Sequence, residues 1–245
     1  MTKIAILLEA DQGNTLGGSC IRDLYNLSNH LPDIFDKILV FSHQDLSDQH
    51  HHFNPKCTFQ RNTILLKTIS EIVSNSQLEL LFMSISGHGY QQRDQEHDEL
   101  DGMDEYIKIN GQVLLDDQFR SLIIEKIPES CTFIGLCDTC HSGSMFDLDY
   151  EFNESKWTRA SHRPPFSRNC LSLGACLDNQ LDNCDIGETV GFGGSLTVHV
   201  IELNLLPLIF NGQESDLLTV YQKLNQKFKS LHQVPVIQKC FSRKK

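Results

Sequence analysis

The chain has 245 residues, 40% of them apolar, and a formal net charge of −11, which fits one globular domain and excludes disordered and fibrous classes. The acidic balance argues against nucleic acid as the main partner and suits a cationic ligand instead, a basic peptide or a divalent metal. Nine scattered cysteines read as reduced thiols of a cytosolic protein, no run approaches the roughly 18 to 20 apolar residues of a membrane span, and the first residues lack a signal-peptide cleavage site.

In chain order, residues 4–9 form the first candidate strand and 21–31 the first helix. A strand at 37–41 precedes the polar, His-rich stretch 44–56, expected as a surface loop. A helix follows over 63–73, with Ile64, Leu65, Ile69, Ile72 and Val73 on one side. Next come a strand at 78–84, an acidic loop over 91–104, and a helix over 116–127 carrying Phe119, Leu122, Ile123 and Ile127 on one face. A strand at 132–137 leads to a further surface loop, 151–169, which contains Pro164-Pro165 and five basic residues. A strand at 171–175, helices at 195–210 and 215–231 (the second with Ser215 as N-cap) and a strand at 235–239 complete the chain. Near-continuous apolar strands alternating with helices predict an α/β domain with a largely parallel sheet covered on both faces.

Two of these strands end in unusual residues. One runs into Ser86-Gly87-His88-Gly89, the other into Asp138-Thr139-Cys140-His141-Ser142-Gly143. In open parallel sheets ligand sites form just past the carboxyl ends of strands. A histidine flanked by glycines and a cysteine in such places suit nucleophilic catalysis: imidazole takes the thiol proton, thiolate attacks a carbonyl, imidazolium protonates the leaving amine. The alternatives are blander. Cys140 can be an inert buried thiol, and Cys137-Asp138-Thr139-Cys140 spells a C-x-x-C redox motif, though its acidic insert raises rather than lowers a thiol pKa. The tract His50-His51-His52 reads as a solvated loop, lacking further ligands at metal-site spacing. His141 diverges from its neighbour Cys140 on a turn and is secondary.

These residues resemble the metacaspases. Ser84-Ile85-Ser86-Gly87-His88-Gly89, the acidic stretch Asp98-Glu99-Leu100-Asp101-Gly102-Met103-Asp104-Glu105 and Asp138-Thr139-Cys140-His141-Ser142-Gly143-Ser144 carry the likeness, supported by Leu173–Gln180 and Gly193-Gly194-Ser195-Leu196-Thr197. The resemblance implies a caspase-like α/β fold, a largely parallel sheet of six or more strands sandwiched between helices, and a monomer. By position Cys140 matches the nucleophile and His88 its partner, with the N–H groups of Gly89 and Cys140 lining the oxyanion hole. Asp23, Ser86 and Asp138 match the pocket that receives the residue before the cleaved bond. That implies peptide or protein substrates with Arg or Lys there, because carboxylates bind a guanidinium through charge-assisted hydrogen bonds. Residues 1–150 correspond to a large-subunit-like part, 151–169 to a connecting loop and 170–245 to a small-subunit-like part. A catalytically weak module that binds basic peptides is the alternative of a different class.

The acidic loop has a further reading. It fails as an EF-hand, because placing Gly102 at the required turn puts Lys108 where the closing Glu belongs. Under the resemblance Asp104, Asp116, Asp117 and Asp147 match a calcium site, so Ca2+ is expected as an activator. Four mutually repelling carboxylates of hard oxygen are what that ion favours; a plain solvated loop is the other reading. Loop 151–169 is also a candidate for self-cleavage, at Lys156 or Arg159 in preference to Arg163, which precedes a proline.

Overall fold

A computed structural model of the chain describes residues 1–46, 48, 52–153, 156–183 and 193–240. Among them twelve strands form two sheets. Six strands run parallel: β1 (Thr2–Ala10), β2 (Lys37–Ser42), β3 (Cys57–Arg61), β4 (Leu78–Gly87), β8 (Thr132–Asp138) and β11 (Asn169–Gly174), with β3 at one edge of the sheet. Three antiparallel strands extend that sheet beyond β11, namely β12 (Val236–Cys240), β9 (Tyr150–Asn153) and β10 (Lys156–Arg159). The sheet order is therefore β10-β9-β12-β11-β8-β4-β1-β2-β3. A small antiparallel sheet of β5 (Gly89–Arg93), β6 (Met103–Ile109) and β7 (Gln112–Leu115) branches off after β4.

Alternation of side chains divides each central strand between two cores. Ile4, Ile6 and Leu8 of β1, with Leu81, Met83 and Ile85 of β4, face α2 (Leu65–Val73) and α3 (Asp116–Phe119) with its π-helical continuation Arg120–Ile124. Ala5 and Leu7, with Leu80 and Phe82, face α1 (Ser19–His30), α4 (Ser195–Glu202), α5 (Leu206–Asn211) and α6 (Glu214–Phe228). Both faces are covered, as the unbroken apolar runs require, and each fully buried Leu, Ile or Phe contributes about 1.5–3 kcal/mol.

All six predicted strands and five predicted helical regions are present, with differences that have local causes. The helix expected over 195–210 is two, α4 and α5. Asn204 turns to a positive φ of 51° between them, and Pro207, which lacks an N–H, sits in the first turn of α5 where none is needed. The N-cap of α6 is Gln213, not Ser215. The stretch 44–56 is not a purely solvated loop: Leu46 and Phe53 are buried, and Phe53 packs edge-on against Tyr25 and Phe59. His50 and His51 lie outside the described residues. The stretch 151–169 holds the β9–β10 hairpin at the sheet edge, with Phe152 against Trp157 and Tyr221. No helix among the described residues is long and apolar enough to cross a membrane.

Candidate active site

The sheet register assembles the site. In β4 and β8, parallel neighbours, Ser86 lies opposite Asp138, so His88 and Cys140, each two residues further on, emerge side by side at the carboxyl edge. On the far side of β4, Ala10 pairs with Gly87 and delivers the loop that starts at Asp11. On the far side of β8, Gly174 pairs with Cys137 and delivers the loop that reaches Asp182. Gly89 is constrained by proximity: a side chain there would overlap the Cys140 carbonyl and the Thr139 hydroxyl. Only glycine lets the histidine turn press its backbone against the cysteine turn.

His88 and Cys140 line one cavity of about 110 Å³, together with Asp23, Ser86, Asp138 and Asp182. Cys140 Sγ accepts the Asp182 N–H at 3.3 Å. Burial pushes the Cys140 thiol above its ordinary value and the Asp182 carboxylate adds to this, partly offset by that N–H. His88 Nε2 lies 2.7 Å from Thr15 Oγ1 and 3.6 Å from Asp11 Oδ1. His141, at a positive φ of 51°, is turned away: its N–H donates to the Gln180 carbonyl and its Nδ1 meets the Asp178 carbonyl.

Three carboxyl groups line the cavity. Asp138 is buried at the N-terminus of α4 and accepts N–H groups of Leu196 at 3.1 Å and Thr197 at 2.6 Å. Asp23 accepts the Ser86 hydroxyl at 2.6 Å and the Gly194 N–H at 3.0 Å. Asp182 accepts the Ser195 hydroxyl at 2.6 Å and the Gln233 amide at 2.8 Å. Burial first, and Asp138 second, push the Asp23 and Asp182 carboxyls well above the usual carboxylate range. Apart from His88, no side chain lining the cavity among the described residues is basic. Crowding holds protons on these carboxyl groups, and a cation bound among them would relieve it. Asp23, Ser86 and Asp138 are thus brought together as expected, whereas Asp11, Thr15 and Asp182 were not anticipated. Asp11 carried a usable signal, since it directly follows the carboxyl end of a parallel strand.

The expected metal ligands gather elsewhere, along β6, α3 and the turn after Cys140. Carboxylate oxygens of Asp104, Asp116 and Asp117 lie within 4.8 Å of one another. Asp147 joins Asp98 and Glu99 in a second such group. Arg163 bridges the two, with Nη1 3.0 Å from Asp147 Oδ2 and further ion pairs to Asp117 and Asp98. Burial, then Glu105, push Asp116 well above the usual range; burial pushes Asp147 up to about 7 despite Arg120 and Arg163. Asp147 Oδ1 is buried without a hydrogen-bond partner among the described residues. Asp94 accepts the N–H groups of Glu96, His97 and Glu99 and so folds the acidic turn.

Residues 4–149 match the family model of the metacaspase, peptidase C14 domain. Metacaspase-1 of Plasmodium falciparum is 29% identical over 160 residues, covering 61% of this chain and 25% of that protein. Metacaspase-1 of Debaryomyces hansenii is 29% identical over 146 residues, 57% of this chain and 32% of that protein, and Metacaspase-1 of Saccharomyces cerevisiae is 28% identical over the same length and shares. The chain therefore spans about a quarter to a third of these relatives. A crystal structure of a Geobacter sulfurreducens protein shares the fold, with a TM-score of 0.57 at 17% identity over 100% of this chain and 95% of the other.

Proposed function

The chain belongs to the metacaspase family, and from that premise we propose that it is a cysteine endopeptidase that cleaves after Arg or Lys and is stimulated by calcium. The observation that carries this reading is the single cavity in which a thiol, an imidazole and three carboxylates converge. The substrate's guanidinium or ammonium enters among Asp23, Asp138 and Asp182, which places the following carbonyl against Cys140. Because its pKa is raised, the resting thiol keeps its proton until His88 takes it as sulfur attacks the carbonyl carbon. The oxyanion forms beside the N–H groups of Gly89 and Cys140, and the imidazolium then protonates the departing amine. Water, deprotonated by His88, hydrolyses the thioester and frees the thiol.

The acidic cluster fits calcium: all its donors are hard carboxylate oxygens, and Asp147 Oδ1 is buried without a partner. Asp104, Asp116 and Asp117 would hold the ion, with Asp147 reached once Arg163 yields. Bound there, calcium supplies positive charge that relieves the repulsion among these groups. Two connections lead to the active site. Asp104 pairs with Gln92 of β5, the strand that begins at Gly89. Its neighbour Glu105 accepts the hydroxyl of Ser144, four residues after the nucleophile.

The test is a fluorogenic peptide panel with Arg, Lys or Asp before the cleaved bond, run with calcium and with excess chelator. Arg and Lys peptides are cleaved, Asp peptides are not, chelation suppresses turnover, and Cys140→Ala abolishes it while His88→Ala lowers it by about 10²–10⁴-fold or more. Full turnover by purified Cys140→Ala would end the cysteine-peptidase reading, unchanged rates in chelator the calcium reading, and preference for Asp the pocket assignment.

A further inference from the structure

Asp11 leaves the end of β1 and is 2% exposed. Its Oδ2 accepts the Leu16 N–H at 2.9 Å, and its Oδ1 accepts the Thr15 N–H at 3.0 Å and the Thr15 hydroxyl at 2.8 Å. Burial opposes its charge, but the Leu16 and Thr15 donors prevail, with His88 adding to them, and hold it below the usual carboxylate range. It is therefore an ionised group that accepts hydrogen bonds and gives none.

The hydrogens around Thr15 can then be counted. Its Oγ1 has two partners, Asp11 Oδ1 at 2.8 Å and His88 Nε2 at 2.7 Å, but a hydroxyl carries one hydrogen. The carboxylate cannot donate, so the hydroxyl hydrogen goes to Asp11. Toward His88 the oxygen can only accept, and Nε2 must carry the proton. In the neutral ring this leaves Nδ1 as the basic nitrogen.

We infer that Thr15 and Asp11 are positioning residues for His88: Thr15 fixes the Nε2–H tautomer so that Nδ1 takes the Cys140 proton, and Asp11 enforces the direction of that bond. Asp11 also sets a buried negative charge 3.6 Å from Nε2, which favours the imidazolium formed after proton transfer. The inference rests on the cysteine-peptidase reading above. The Thr15–His88 contact faces solvent, so water replaces part of what its loss removes. The expected effect is about tenfold, far below the ~10⁴-fold seen when neutralising a triad's buried carboxylate leaves the wrong tautomer.

Asp11→Asn distinguishes this arrangement from mere packing. Either orientation of an amide at position 11 sets its NH2 against a backbone N–H, of Thr15 or of Leu16; with the NH2 in place of Oδ1 it donates to Thr15 Oγ1, which frees the hydroxyl hydrogen to point at Nε2 and inverts the tautomer. Three variants of the full chain, Thr15→Val, Thr15→Ser and Asp11→Asn, are compared in kcat and KM on an Arg peptide. Ring ¹⁵N shifts of His88 are recorded in parallel in a Cys140→Ala background. Thr15→Val lowers kcat about tenfold with little change in KM, and Thr15→Ser recovers most of the loss because it restores the hydroxyl. Asp11→Asn lowers kcat further, about 10²-fold. The ring shifts show Nε2–H in the parent and move toward Nδ1–H in Asp11→Asn. Because Asp11 is buried, its variant can fail to fold; Thr15 is exposed, and the Val/Ser pair then decides alone. Unchanged kcat in Thr15→Val, or an Nδ1–H ring in the parent, overturns the inference. Absence of any peptide cleavage by the parent overturns the peptidase reading instead, and the ring shifts still judge the tautomer.

Discussion

Asp138 lies between the first N–H groups of α4 and two further carboxylates, and those neighbours set its sensitivity to substitution. Asp138→Asn keeps the shape but gives up the charge and turns one acceptor oxygen into a donor facing an N–H of Leu196 or Thr197. With one charge of a buried ion pair removed, about 2–5 kcal/mol of binding to a cationic side chain is lost. The expected outcome is a fall in kcat/KM on Arg peptides of about 10²-fold or more, while labelling of Cys140 by a small thiol reagent persists. An equal loss on both readouts would show that Asp138 only supports the fold. Cys140 and His88 were legible because each stands at a strand end, with Asp138 two residues before Cys140; Asp23 and Ser86 came from the resemblance to the metacaspases. Asp182 and Thr15 were not legible: the first reaches the cavity and the second reaches His88, each from beyond another strand, and only the pairing of β11 with β8 and of β1 with β4 brings them there. Neither pairing is written in any local stretch of residues.

Among the elements, the long apolar strands were legible and the short polar ones were not. CTFQR of β3, GYQQR of β5 and KWTR of β10 are too brief and too mixed for period-2 alternation to separate them from loops. The β9–β10 hairpin changes the expectation for self-cleavage. Lys156 and Arg159 lie in a paired strand, and Arg159 donates to the carbonyls of Ser161 and Arg163, so cutting there requires the hairpin to open. The segment after β10 lies against the acidic turn through the Glu99–Ser161 bridge and the His162 N–H to the Asp98 carbonyl. Arg163 is thereby presented to Asp98, Asp117 and Asp147 as an internal cation. Burial works against its charge, but Asp147, Asp117 and Asp98 more than offset this and raise its pKa. If calcium uses Asp117 and Asp147, it competes with this guanidinium. Arg163→Gln in a Cys140→Ala background then binds calcium more tightly by titration calorimetry, about tenfold if one partly buried ion pair no longer has to be broken. Equal affinity would show that the two cations use different carboxylates, and weaker affinity that Arg163 organises the site.

At the scale of the whole molecule, the parts before and after the segment 151–169 share one sheet and one core. β11 lies parallel to β8 over six residue pairs, and β12 is hydrogen-bonded on one side to β11 and on the other to β9. Leu171, Leu173, Leu196, Val220, Leu224 and Ile237 from the later part pack with Leu7, Phe82 and Ile134 from the earlier part. At roughly 1.5–3 kcal/mol each, those six side chains alone contribute on the order of 10 kcal/mol, comparable with the entire stability of a domain this size. A chain cut between Pro164 and Pro165, both exposed, should therefore stay assembled. The test inserts a foreign protease site there in the Cys140→Ala variant, cleaves it to completion and runs size-exclusion chromatography without denaturant. The nicked protein elutes at the volume of the uncut chain and gives two bands only on a denaturing gel. Residues 1–164 expressed alone expose the edge of β8 and half of one core and aggregate. Separation of the fragments in native buffer, or a soluble, cooperatively folding 1–164, would mean that the two parts are independent units and that the shared sheet does not hold them together.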